Sequence, residues 1–306
     1  MKYEILTQNG LNRRKYWVSE IVKISGDFGL DSTRVEAELN TELSKNGSPA
    51  LLDHLRLGGV IPEAYGHDTS EEKLYSKYTD ALLAVVFRQM GLKSLVLTER
   101  ADTADVEVFA EKYDFVADAK AFRLSRTAKN QKDFKVQAMD GWRRDKKYAL
   151  VVAPLYQLPS RTSQIYQQAI ARDVCILSYS HLAVLLNASL TISKELAEEV
   201  LGEVFACVSK MNPEKNALDY WAAINGCFVA HEYIRKLWGV EKKANLESIS
   251  AAKEEGLSYW ATEREKIMRL SHEEALKQLV SAHKIDSKIS VLNRISDNGL
   301  LDAGVR

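Results

Sequence analysis

Asp118 and Lys120 stand two residues apart in the segment Tyr113-Asp114-Phe115-Val116-Ala117-Asp118-Ala119-Lys120, and Asp105 opens the alternating segment before it. Alternation of this kind reads as β-strand, where side chains repeat every two residues, so Asp118 and Lys120 share a face with Val116 beside them. Asp105 to Ala110 and Tyr113 to Phe122, joined by a short polar turn, predict a hairpin whose end brings Asp105 against Asp118. Two carboxylates and an ammonium gathered in this way suit Mg²⁺, which takes hard oxygen ligands and leaves positions for water and phosphate. The ion would stabilise charge on a phosphodiester and acidify the attacking water, while the lysine orients that water or stabilises the transition state. The spacing recurs at Glu71/Lys73, Asp133/Lys135, Asp145/Lys147, Glu241/Lys243 and Asp286/Lys288, mostly on helical or polar segments. Only the 118/120 pair lies on a predicted buried strand, where a carboxylate is costly unless it is paired or binds metal. The competing reading is an Asp–Lys ion pair at a sheet edge.

Charge points the same way. The chain has 42 Lys plus Arg and 42 Asp plus Glu, a formal net charge of zero. Between Ala119 and Lys147, however, ten Lys and Arg face three Asp. Such a window fits a polyanion, whose phosphates Lys and Arg neutralise, although a solvated helix face with i,i+4 partners would look similar. With 46% hydrophobic and 27% charged residues, the composition excludes a disordered chain. Cys175, Cys207 and Cys227 form no CxxC pair and are odd in number, which favours core thiols in a reduced, cytoplasmic protein. The N-terminal residues lack the apolar stretch of a secretory signal, and apolar runs such as Ala81 to Phe87 fall far short of the roughly 20 residues of a membrane span.

The run from Phe122 to Val136, FRLSRTAKNQKDFKV, preceded by Val116-Ala117-Asp118-Ala119-Lys120, closely resembles the HindIII-type restriction endonucleases. The similarity extends through Ile61-Pro62-Glu63-Ala64, Glu72-Lys73-Leu74, Thr162-Ser163-Gln164-Ile165, Ser271 to Ala275 and Ser287-Lys288-Ile289. It fades in the first 40 residues and between 190 and 245. That family belongs to the PD-(D/E)xK nucleases, so the resemblance implies an α/β fold: a central mixed β-sheet flanked by helices, with helical N- and C-terminal parts. It also implies Mg²⁺-dependent cleavage of double-stranded DNA, with Mn²⁺ able to substitute, by a homodimer reading a palindrome. AAGCTT, cut after the first A to leave a 5′-phosphate and a 3′-hydroxyl, is the implied target. In this pattern Asp105 matches the first motif carboxylate, Asp118 the second and Lys120 the motif lysine. Ala104 stands where the motif name has proline, and a hairpin shorter than the family's leaves Asp102 as another candidate for the first carboxylate. The backbone carbonyl of Ala119 would complete the metal site. Glu72 matches a glutamate that many relatives aim toward the metal, with a capping or salt-bridge role as its alternative. Arg123, Ser125, Arg126, Thr127, Lys129, Asn130 and Lys132 have donors suited to phosphates or base edges. A bacterial cytoplasmic location is implied, as is a cognate DNA methyltransferase that protects the host without stable binding. Two other readings are a catalytically silent DNA-binding protein of this fold and a repair or recombination nuclease that reads DNA structure.

The elements that must position these residues follow from periodicity. Helical patterns cover 14–56, including Trp17, Ile21 and Ile24 and a second segment Ser32 to Leu43, and a long helix runs from about 70 to 90 after Thr69-Ser70-Glu71-Glu72. Strands are expected at Ser94 to Thr98, in the hairpin, at Tyr148 to Leu155 and at Asp173 to Ser178, with helices at 161–171 and His181 to Leu190. From Ser193 onward only helices are expected, broken near Asn212-Pro213, Gly239 and Ser271. A single nuclease domain over 1–306 is expected, with a helical part at 1–68, a catalytic α/β core at 69–190 and a helical part at 191–306. Asp27-Phe28-Gly29 resembles a kinase Mg²⁺ motif, but too little chain precedes it for the rest of a kinase, and helix-and-turn is the better reading. The six histidines show no HExxH or close metal spacing.

Overall fold

The alternating segments carrying Asp105 and Asp118 are neighbouring strands in the computed structural model, which describes residues 2–97, 103–126, 131–159, 163–212 and 216–294. Thr127, Lys129, Asn130 and Asp102 lie outside the described residues. In chain order the elements are α1 (Gln8–Ile21), α2 (Phe28–Asn46), α3 (Pro49–Gly58), α4 (Ser70–Gln89), β1 (Lys93–Val96), β2 (Val106–Phe109), β3 (Asp114–Ala119), α5 (Val136–Trp142), β4 (Tyr148–Ala153), α6 (Gln164–Ala171) and β5 (Val174–Ser178). There follow α7 (Tyr179–Thr191), α8 (Lys194–Lys210), α9 (Ala217–Ala230), α10 (Glu232–Met268), α11 (His272–Ala282) and α12 (Ile285–Asn293).

The five strands form one sheet in sequence order. β1, β2 and β3 are antiparallel, whereas β3, β4 and β5 are parallel, so the sheet is mixed. The β2–β3 register runs from Val106 opposite Ala117 to Phe109 opposite Asp114, with the turn closed by Ala110 N–H donating to Tyr113 C=O at 2.9 Å. Parallel pairs need crossovers, supplied here by α5 and α6, and both β4 and β5 are apolar nearly throughout because helices cover them. Phe115 of β3 is wedged between Phe87 of α4 and Phe205 of α8, with ring centroids 5.1 and 5.0 Å away.

α4 matters most for the site. Thr69 caps it by accepting from Glu72 N–H, and from Tyr78 to Phe87 every residue is buried. Asp27 caps α2 through the amides of Gly29 and Leu30, which accounts for the kinase-like triplet as a helix start. The expected break at Gly239 is absent: α10 continues through it to Met268. An isolated helical glycine costs only about 1 kcal/mol relative to alanine, too little to end a helix this long. Ile24 likewise lies beyond the end of α1 and is exposed. Ser271 does start a new helix, through a reciprocal capping box with Glu274. The chain divides into two compact units, Met1–Gly256 and Leu257–Arg306. In the second, neither α11 nor α12 has a buried residue. No helix among the described residues is long and apolar enough to cross a membrane.

His181 is buried among Trp221, Phe228 and Trp238, and its Nε2 meets Asn225 Oδ1 at 3.1 Å. Burial drives its pKa down to about 4, against the opposing effect of its hydrogen bond to Asn225 Oδ1. The unfolded chain therefore binds a proton that the native state refuses between pH about 6.5 and about 4, and stability falls as pH falls through that window by up to about 3 kcal/mol. Urea unfolding at pH 7, 5 and 4 is expected to show this loss, and His181→Gln is expected to flatten it. An unchanged slope in the variant would exclude His181 as its source.

Candidate active site

The carboxylates come together because the middle of a helix passes the place where two strand ends meet. Asp118 is the penultimate residue of β3, Asp105 immediately precedes β2, one rung beyond the Val106–Ala117 pair, and Asp80 lies midway along α4, which packs against β1, β2 and β3. One oxygen of each lies within 4.8 Å of the others. Asp80 and Asp118 are buried and Asp105 is partly exposed, so the cluster opens on the Asp105 side. At such separations two full negative charges repel by roughly 4 kcal/mol at an effective dielectric constant near 20, so the fold must supply counter-charge.

Two lysines provide it. Lys120, just past β3, donates its backbone N–H to Val152 C=O at 2.7 Å, and its ammonium bonds Asp118 Oδ2. Lys77, one turn before Asp80 on α4, reaches Asp105 Oδ1 at 2.8 Å and Asp80 Oδ2 at 3.4 Å. The compensation is incomplete, because Asp80 Oδ1 is buried with no hydrogen-bond partner among the described residues. Burial, then the carboxylates of Asp105 and Asp118, push the Asp80 pKa well above the usual range. Lys77 is held above the ordinary lysine value: burial works against it, but the carboxylates of Asp80 and Asp105 outweigh that cost. A buried carboxylate oxygen left without a donor, among other hard oxygen ligands, is what a small divalent cation would satisfy.

Of the residues expected from sequence, Asp105, Asp118 and Lys120 are brought together, and Ala119 follows Asp118 at the end of the strand. Glu72 is placed elsewhere. It lies in the first turn of α4, where it accepts from Asp68 N–H at 2.7 Å and pairs with Arg123 at 3.1 Å, in a group with His67 and Asp68 and apart from the three aspartates. The carboxylate that α4 contributes is Asp80, about two helical turns further on. Strand periodicity and motif spacing do not single out Asp80 or Lys77. The available signal was an aspartate flanked by Thr79 and Ala81 on the buried stretch of a helix, where an ionised group is expensive.

Beyond Lys120 the chain is tied down. Phe122 N–H donates to Gly59 C=O, and Ile61 N–H to Phe122 C=O, both at 3.1 Å. Gly59 allows this approach, since a Cβ there would come within 2.9 Å of Pro154 and Tyr179. Arg123 donates to Tyr65 C=O at 2.6 Å, and Ser125 donates both its amide and its hydroxyl to Glu63. Arg126 pairs with Asp133 at 2.7 Å and stacks 5.0 Å from the Phe122 ring centroid. Lys132 is exposed on the 3₁₀ turn Gln131–Phe134. Part of the basic run thus serves to fix its own backbone next to the carboxylates.

A family profile described as HindIII restriction endonuclease matches residues 14–296. The chain belongs to the HindIII restriction endonuclease family. It is 34% identical over 252 residues to the type II restriction enzyme HindIII of Haemophilus influenzae, an alignment covering 79% of this chain and 82% of that enzyme. As a member of the HindIII family it is a type II restriction endonuclease, a DNA-binding hydrolase of a restriction system, and its mixed sheet flanked by helices is the α/β fold expected from the sequence.

Proposed function

We propose that this endonuclease is a Mg²⁺-dependent homodimer that cuts double-stranded DNA at AAGCTT after the first A, with 1–306 acting as one nuclease domain. The observation that carries the metal part of the reading is the buried oxygen of Asp80, without a partner among the described residues, beside Asp105 and Asp118. Asp80, Asp105, Asp118 and the backbone carbonyl of Ala119 are assigned as the groups that would hold the ion. When bound, Mg²⁺ supplies charge stabilisation at the phosphodiester and lowers the pKa of water. The chain's own residues do the rest. Lys120, anchored through its amide to Val152 and through its ammonium to Asp118, orients the attacking water or donates to the phosphate oxygen. Water attacks in line and the leaving oxygen becomes the 3′-hydroxyl, with the phosphate retained on the 5′ end. Arg123, Ser125, Arg126, Thr127, Lys129, Asn130 and Lys132 follow the site directly and are assigned to phosphate and base contacts; Glu72 is assigned to fixing Arg123. The palindrome and the HindIII target rest on the similarity to that enzyme. A palindrome is matched by two-fold protein symmetry, hence the homodimer. A methyltransferase of the same sequence specificity would protect the host, and Mn²⁺ is expected to replace Mg²⁺.

The test is direct. Purified protein incubated with plasmid and Mg²⁺ is expected to linearise it at AAGCTT, with sequenced ends showing cleavage after the first A. No cleavage under any divalent metal would overturn the activity, and ends at unrelated sequences would overturn the target.

A further inference from the structure

Among the described residues, Lys120 accounts for one of the two ammonium groups at the carboxylates, and the cleavage chemistry leaves the other, Lys77, without a task. We propose that Lys77 is a built-in counter-ion that occupies the cluster in place of a divalent cation, steadying Asp105 and Asp80 until the ion binds and setting how tightly it does so. The proposal rests on reading the cluster as a cation site.

Three features support it. Lys77 spans two of the three aspartates, at 2.8 Å from Asp105 and 3.4 Å from Asp80, and Lys120 serves the third. It reaches them from α4, three residues before Asp80, so at the carboxylates the packed helix and the strand end are also linked through a charge. Its side chain is about one-third exposed while that of Asp80 is 3% exposed, which leaves the ammonium a path to solvent that the carboxylate lacks. A cation entering among the three aspartates would meet the Lys77 charge within a few ångströms of its own position. Like charges so close cannot share the cluster cheaply, and the one on the flexible stem is the one able to withdraw. Binding of the ion therefore costs the Lys77 contacts, and affinity is lowered by that amount.

The experiment uses the full-length protein and Mn²⁺ alone, read by calorimetry or by the electron paramagnetic resonance of free Mn²⁺. Lys77→Met, which removes the charge but keeps the stem, is expected to bind Mn²⁺ about tenfold more tightly than wild type. Lys77→Arg, which keeps the charge, is expected to stay within about twofold of wild type. Thermal unfolding supplies the second readout: Lys77→Met is expected to melt below wild type in EDTA and to recover the difference in saturating Mn²⁺. Equal or weaker binding by the methionine variant, or a melting deficit that Mn²⁺ does not reduce, would overturn the role of Lys77. Should the methionine variant not fold, Lys77→Gln, whose amide can still donate to Asp105, carries the same comparison. If wild type binds Mn²⁺ no better than Asp118→Asn does, the cation-site reading itself falls, and this proposal with it.

Discussion

Replacing Lys120 with alanine is expected to stop cleavage and also to weaken the fold, whereas Asp118→Ala is expected to stop cleavage at little cost in stability. Both side chains belong to the same ion pair, but their surroundings differ. Asp118 is buried, so deleting Lys120 strands a carboxylate where water cannot reach it, a loss of about 3 kcal/mol when one partner of a buried pair is removed. Lys120 retains some exposure, and its long stem can carry the ammonium outward once Asp118 is gone. Plasmid cleavage at saturating enzyme is expected to fall by about 10²- to 10³-fold or more in either variant, the order seen when a group that stabilises developing charge is deleted. Urea unfolding in EDTA should rank Lys120→Ala below Asp118→Ala, and binding of AAGCTT duplex in Ca²⁺ should persist in both. Cleavage within tenfold of wild type by either variant would remove that residue from the chemistry.

The second large effect runs in opposite directions for activity and stability. Asp80→Asn is expected to lose at least about 10²-fold in cleavage and, without metal, to melt higher than wild type by about 2 °C or more at pH 8. Burial and the neighbouring carboxylates raise the Asp80 pKa in the native state. The native state then holds a proton that the unfolded chain releases at about pH 4, so metal-free wild type loses stability as pH rises from there toward the raised value. Asparagine has no proton to lose and escapes that penalty. The gap between variant and wild type should therefore be small near pH 5 and grow toward pH 8 in EDTA. Mg²⁺ should close it by binding the native wild-type state alone. A variant less stable than wild type at every pH, or one that cuts normally, would contradict this account.

The two predictions differ in how readily their residues could be read from the sequence. Asp118, Lys120 and Asp105 were legible because strand periodicity is local: two residues apart means one face, and a short turn places the segments side by side. Asp80 was not, because a helix's rotation and distance along a sheet are set by packing that no local pattern encodes. Glu72 illustrates the consequence. Its type and its helix fitted the role, but two turns of α4 separate it from Asp80, and at the helix start Arg123 and the amide of Asp68 claim its carboxylate. Gly239 shows the converse, a residue read as a stop that α10 absorbs because the helix continues on both sides of it. In the DNA-reading run, composition conveyed positive charge but not that Arg123, Ser125 and Arg126 already have partners in Tyr65, Glu63 and Asp133.

The β2–β3 hairpin turns at Ala110 to Tyr113, at the end away from the carboxylates. An antiparallel ladder can gain or lose a whole rung at its turn without shifting any rung at its open end. Insertions and deletions that come in matched pairs there leave the open end in register, whereas a single unmatched residue has to be taken up by the turn or by a bulge, or else it slips the register and inverts the faces. Chain length between the two strand aspartates can thus change by even steps without moving their meeting point.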